Sequence, residues 1–139
     1  MAHNYYLYNH PANKLTWIPW DNNECLASRS GPGGNSVNLS LSTVISTWPL
    51  IRYLADDAVY YAQYKEYVRT FTDEAFAVSD IQQMLTTYHD LISPYVIGPE
   101  ETETGKYTQL SSSAAFTSEL ATLKQYIVAR HTAVDSFVP

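Results

Sequence analysis

Residues 3–24 read His3-Asn4-Tyr5-Tyr6-Leu7-Tyr8-Asn9-His10-Pro11-Ala12-Asn13-Lys14-Leu15-Thr16-Trp17-Ile18-Pro19-Trp20-Asp21-Asn22-Asn23-Glu24. Tyr5 to Tyr8 is rich in bulky aromatic side chains, which sit well on a pleated surface. Asn9 to Asn13 is turn chemistry: Pro11 fixes its own φ, and asparagine tolerates the left-handed region. Lys14 to Trp17 alternates polar and apolar, and Ile18 carries the run to Pro19. The pattern predicts a β-hairpin. Antiparallel pairing brings the start of the first strand and the end of the second to one end. Asn4 and Asp21, seventeen residues apart, are thereby gathered there. An amide oxygen and a carboxylate are hard donors, the kind a divalent cation takes together with phosphate oxygens. Asn23 and Glu24 are further oxygen-bearing candidates just past Asp21. The apolar neighbours Trp17, Ile18 and Trp20 predict that this strand enters the core, where a carboxylate needs a partner or a metal.

Outward from the hairpin, Asn22 to Ser46 is rich in Ser, Asn and Gly and reads as a long loop. Pro49 then suits the first turn of a helix ending near Asp56. A second helix is expected from Ala58 to Phe71, with Tyr60, Tyr64 and Tyr67 on its buried stripe and a break near Thr72-Asp73-Glu74. Ser79 and Gln82 have capping-box spacing at the head of a third helix. Ile81, Leu85 and Tyr88 form its expected core face, and Ser93-Pro94 is expected to end or kink it. Gly98 to Lys106 reads as an exposed acidic loop carrying Glu100, Glu101 and Glu103. Ser111-Ser112-Ser113 opens a last helix running to Phe137, with Leu120, Leu123 and Ile127 inward. The expected fold is mainly α (α+β): a metal-site hairpin over 1–21, a loop over 22–47 and a helical bundle over 48–139, forming a single domain or a piece of one.

Composition removes several function classes. The net charge is −6, which opposes a nucleic-acid footprint. No Lys/Arg run suggests an anionic membrane surface. No apolar stretch approaches eighteen residues, so no membrane span is expected. Cys25 is the single cysteine, so no internal disulfide forms. His3, His10, His89 and His131 are scattered without zinc-ligand spacing. Nothing beside the Ser-rich runs supplies a general base for a serine nucleophile.

The string Asn4-Tyr5-Tyr6-Leu7-Tyr8, a short turn, then Thr16-Trp17-Ile18-Pro19-Trp20-Asp21 resembles the spore coat protein H (CotH) kinase family, atypical protein kinases with a much reduced kinase fold. In protein kinases the catalytic-loop Asn and the Asp of the Asp-Phe-Gly motif both hold metal. The resemblance implies that Asn4 matches that Asn and Asp21 that Asp, with Asn22 and Asn23 standing where Phe and Gly would be. The helix start Trp48-Pro49-Leu50-Ile51-Arg52 and the later Tyr-rich helices resemble the family's C-terminal half, hence a reduced kinase C-lobe. The implied cofactors are Mg²⁺ and ATP, and the implied partner is a protein substrate phosphorylated on Ser or Thr, a spore coat protein for instance. Gly31-Pro32-Gly33-Gly34 follows Asp21 and lacks a Lys, so it does not read as a phosphate loop. No strand Lys with a helix Glu partner is evident. The catalytic Asp is expected upstream of Met1. The resemblance therefore implies the C-terminal, metal-site half of a longer kinase, inactive alone, with neither cofactor expected to stay bound to it and Mg²⁺ affinity weak at an open site. The alternative is a non-catalytic interaction or scaffold module of a spore coat or cell-surface assembly.

Overall fold

The computed structural model describes residues 5–12, 14–20, 26, 39–105 and 108–138. The chain divides into two compact units, Met1–Ser36 and Val37–Pro139.

The first unit contains the expected hairpin. Strand β1 (Tyr5–His10) pairs antiparallel with β2 (Lys14–Pro19), in a register that sets Tyr5 opposite Pro19, Leu7 opposite Trp17 and His10 opposite Lys14. The turn is shorter than the sequence suggests. Asn9 and His10 extend β1, and the His10 ring nitrogen Nδ1 accepts the Ala12 N–H at 3.1 Å. That contact orders the turn where Pro11 supplies no donor. Lys14 has φ +59°, the left-handed conformation that closes many short hairpin loops. One expectation fails here: Trp17, Ile18 and Trp20 are exposed, as are Tyr6 and Leu7. A two-stranded ribbon has too little surface to bury either of its faces unaided.

The second unit has four helices: α1 (Pro49–Asp56), α2 (Ala58–Glu74), α3 (Val78–Val96) and α4 (Ser113–Phe137). α1 packs on α2, α2 on α4, and α3 on α4. Pro49 occupies the first turn of α1, where its missing N–H costs nothing. Asp57 ends α1 and caps α2, its carboxylate accepting the N–H groups of Val59 at 2.9 Å and Tyr60 at 3.1 Å. Ser112 caps α4 by accepting the Ala115 N–H.

Three local expectations are corrected. α2 is not interrupted at Thr72. The Thr72 side chain is buried, and its hydroxyl donates to the Val68 carbonyl at 2.8 Å, so the helix absorbs it. The capping box at Ser79 and Gln82 does not form. α3 starts two residues earlier with Ala77 extended at its cap; Ser79 donates to Asp80, and the Gln82 amide reaches across to the Lys124 carbonyl at 3.1 Å. Nor does Pro94 end α3, which runs on to Val96. The stop comes at Gly98, whose φ of +76° is the left-handed turn that terminates many helices. Behind it the acidic loop folds back, with the Glu103 and Gly105 N–H groups donating to the Ile97 and Val96 carbonyls.

Among the described residues the buried apolar side chains are Ile97, Ile127 and Val134. Tyr64, Ile81, Leu85, Leu120 and Leu123 are half-buried. Tyr60, Tyr67 and Tyr88 were expected in the core but are exposed, at 49%, 63% and 59%. A helix stripe buries only where a neighbouring helix crosses it, and the tyrosine stripes are longer than the crossings. Polar ties reinforce the α2–α4 contact. Arg69 donates to Asp135 at 2.8 Å and to the Val138 carbonyl, and His131 lies 3.2 Å from the other Asp135 oxygen.

Ile127→Ala is expected to lower stability by about 2–5 kcal/mol, because its side chain is fully enclosed, whereas Tyr95→Ala, at an exposed site, should stay within about 0.5 kcal/mol. Urea midpoints of the two variants measure the contrast. The Arg69 hydrogen bond holds the Asp135 carboxyl below its ordinary range, with burial opposing it and His131 adding to the fall. A depressed folded-state pKa contributes stability that is present above the unfolded pKa and lost as pH falls through the folded one. Melting temperature should therefore fall between about pH 4 and 2, and less steeply in Asp135→Asn; equal slopes would contradict the assignment.

Candidate functional site

The hairpin register fixes the frame of the candidate site. Because Tyr5 and Pro19 are partners, both strands leave the ladder at the same end. In sequence Asn4 directly precedes Tyr5, and Asp21 follows Pro19 by two residues. Between them Trp20 stacks on Tyr6, with ring centroids 6.0 Å apart and planes 21° from parallel. This diagonal pair ties the exit of β2 to β1 immediately before Asp21. Pro19 lacks an N–H and stands at the last rung, where pairing stops. Asn4, Asp21, Asn23 and Glu24 themselves lie outside the described residues, as do Cys25 and Gly31-Pro32-Gly33-Gly34.

Among the described residues no group of three or more His, Cys, Asp and Glu side chains could hold a metal ion. Glu100, Glu101 and Glu103 are exposed. His89 stacks on Phe116 with centroids 4.0 Å apart, its Nε2 lying 3.3 Å from the Phe116 carbonyl and its Nδ1 3.4 Å from Asp90. Both ring nitrogens are thus held against α3 and α4. The Asp135–His131 pair is committed to the Arg69 tie described above.

A second constellation carried no clear sign in the sequence. The Tyr64 hydroxyl donates to the Leu39 carbonyl and the Tyr61 hydroxyl to the Ser40 carbonyl, each at 2.9 Å. Arg52 Nη1 donates to the carbonyls of Leu41 at 2.8 Å and Val44 at 3.1 Å. Asp56 orients that guanidinium, both its oxygens lying 3.1 Å from Nε. The Arg52 hydrogen bond in turn draws the exposed Asp56 carboxyl below its usual range. Burial pushes the Tyr64 hydroxyl above its ordinary range. Backbone carbonyls accept these bonds, so the sequence of residues 39–44 gives little hint of them; only the Arg52 to Asp56 spacing is a readable helix pair.

Cross-strand proton contacts should link Leu7 with Trp17 and Asn9 with Leu15, as the register requires. A hairpin slipped by one residue would show Leu7 against Thr16 instead and would turn every side chain to the other face. Nuclear Overhauser spectra distinguish the two.

No helix among the described residues is long and apolar enough to cross a membrane. Searches of curated proteins and of solved structures returned no match. The family model described as CotH kinase protein matches residues 1–134, nearly the whole chain and including the hairpin and most of α4. The chain belongs to the CotH kinase family.

Proposed function

We propose that this chain carries the metal-holding share of a CotH-type atypical protein kinase, with Asn4 and Asp21 as ligands of Mg²⁺. In the longer parent protein that ion would neutralise the phosphates of ATP during transfer to a Ser or Thr of a protein substrate, a spore coat protein for instance. The reading gives each residue of this chain a task. Asp21 supplies the charged oxygen and Asn4 a neutral one, as the two metal-holding positions of a kinase do. Trp20, stacked on Tyr6, restrains the backbone that leads into Asp21. A catalytic Asp and a nucleotide clamp are the further parts that such a kinase needs. Phosphoryl transfer rests almost wholly on positioning phosphates and metal together, so the chain alone is inactive. The observation that carries the reading is the family match, and the shared exit of β1 and β2 supports it.

A second reading, a non-catalytic interaction or scaffold module of a spore coat or cell-surface assembly, draws on the exposed rings of Tyr6, Trp17 and Tyr95. The two readings differ over the metal. Mn²⁺ can replace Mg²⁺ as a paramagnetic reporter at an oxygen site. In the purified chain it is expected to broaden the Tyr5, Tyr6 and Trp20 resonances selectively. Asp21→Ala and Asn4→Ala should each weaken that effect by about tenfold or more, the scale of a lost ligand in a small site. Broadening that ignores both substitutions would leave the scaffold reading in place. Transfer of labelled phosphate from ATP by the isolated chain, abolished in Asp21→Ala, would refute the assigned inactivity.

A further inference from the structure

We infer that Leu39–Val44 is a strap latched across the α1–α2 cleft by Arg52, Tyr61 and Tyr64, and that releasing the latch opens the cleft. The inference stands apart from the kinase reading. Three side chains from two helices converge on one six-residue segment, and all three grip its backbone. Four of its carbonyls, those of Leu39, Ser40, Leu41 and Val44, accept their bonds. The donors are set in advance. Tyr61 and Tyr64 pack their rings against Phe137 of α4, with centroids 6.3 and 6.1 Å away, and Asp56 holds the Arg52 guanidinium. Leu41 lines an apolar cleft together with Ile51, Leu54 and Tyr60. The strap's own leucine therefore forms one wall of that cleft, which widens when the strap lifts away.

The closed strap is under opposing influences. Leu41 has φ +57°, a left-handed conformation that a side chain with a Cβ adopts only when its surroundings impose it. Hydrogen bonds from the latch hold that geometry, and the partial burial of Leu41 adds a smaller contribution. Few apolar contacts and a strained residue are what place a segment at the low-stability end of a fold. Removing the donors tips the balance toward the open state, because the strain remains while its restraints are gone.

Amide hydrogen exchange on the full chain tests this at the Val44 N–H, which donates to the Leu41 carbonyl at 3.1 Å inside the strap. In the Tyr61→Phe/Tyr64→Phe double variant and in Arg52→Gln, Val44 should exchange about tenfold faster or more, the scale that one or two lost hydrogen bonds set, while α2 amides keep their wild-type rates. A soluble nitroxide should at the same time relax the Ile51 and Leu54 methyl resonances more strongly than in wild type. Tyr53→Phe, at an exposed site on α1, should change neither readout. If the double variant does not fold, the single Tyr64→Phe variant takes its place. Three results would each overturn the proposal: an unprotected Val44 amide in the wild type, unchanged Val44 exchange in the variants, or an acceleration shared equally by α2. Faster Val44 exchange without added methyl relaxation would also refute it, since the cleft would then have stayed closed.

Discussion

The helical unit depends on side chains that pack along their length and donate at their tip to a backbone carbonyl of another element. Arg69 reaches Val138, Gln82 reaches Lys124, and Tyr61 and Tyr64 reach Ser40 and Leu39. Each such bond contributes a net of only about 0.5–1.5 kcal/mol, because water would satisfy the same groups in the unfolded chain. Their geometric effect is larger. A carbonyl accepts from a narrow set of directions, so each tie fixes how one helix sits on another. Such ties matter here because the buried apolar side chains among the described residues are Ile97, Ile127 and Val134. Two of these lie on α4, so hydrophobic burial organises the unit around that helix. The polar donors then determine how α2, α3 and the strap are placed against it.

Those ties also explain which parts of the fold were legible in the sequence. Helix positions follow from local periodicity and punctuation, and Pro49 and Ser112 mark starts that the structure keeps. Burial does not follow so directly. A stripe such as Tyr60, Tyr64 and Tyr67 states which face could be covered, whereas the crossing of α2 with α1 and α4 decides how much of it is. Of the three, Tyr64 is half-buried and its neighbours on the stripe stand open. The failed capping box has the same origin. Gln82 is recruited by the Lys124 carbonyl on α4, a partner forty-two residues away that no local rule detects. At Pro94 the local rule was overridden: Ser93 stays helical, and α3 runs on to Val96 before the left-handed Gly98 stops it.

The candidate site divides along a similar line. Its frame was legible, because strand alternation and turn residues specify a hairpin, and a hairpin's two free ends must lie together. That constraint does not set the register: pairing Tyr5–Tyr8 with Leu15–Ile18 would put Tyr5 opposite Ile18, whereas the structure puts it opposite Pro19. The roles of Asn4 and Asp21 came instead from the motif they sit in, since an Asn before a strand and an Asp after one are common caps on any fold. The strap was illegible for a physical reason. Its recognition runs through main-chain carbonyls, which every residue type carries, and through tyrosines that read from sequence as core.

The division of the chain into two compact units bears on how substitutions can be interpreted. The buried residues Thr72, Ile97, Ile127 and Val134 all belong to the second unit, whereas Asn4 and Asp21 belong to the first. Loss of a side chain in the α4 core acts through cavity formation and lowers the stability of the helices. Loss of Asp21, on the proposed reading, would remove a metal ligand just beyond a hairpin held by the β1–β2 ladder and the Tyr6–Trp20 stack. The two kinds of defect therefore have separate signatures: helical melting reports the first, and the aromatic resonances of the hairpin report the second. A metal effect in the hairpin that survives unchanged in a destabilised Ile127→Ala protein would belong to the ribbon alone, and the helical unit would then serve the site only by carrying the chain onward.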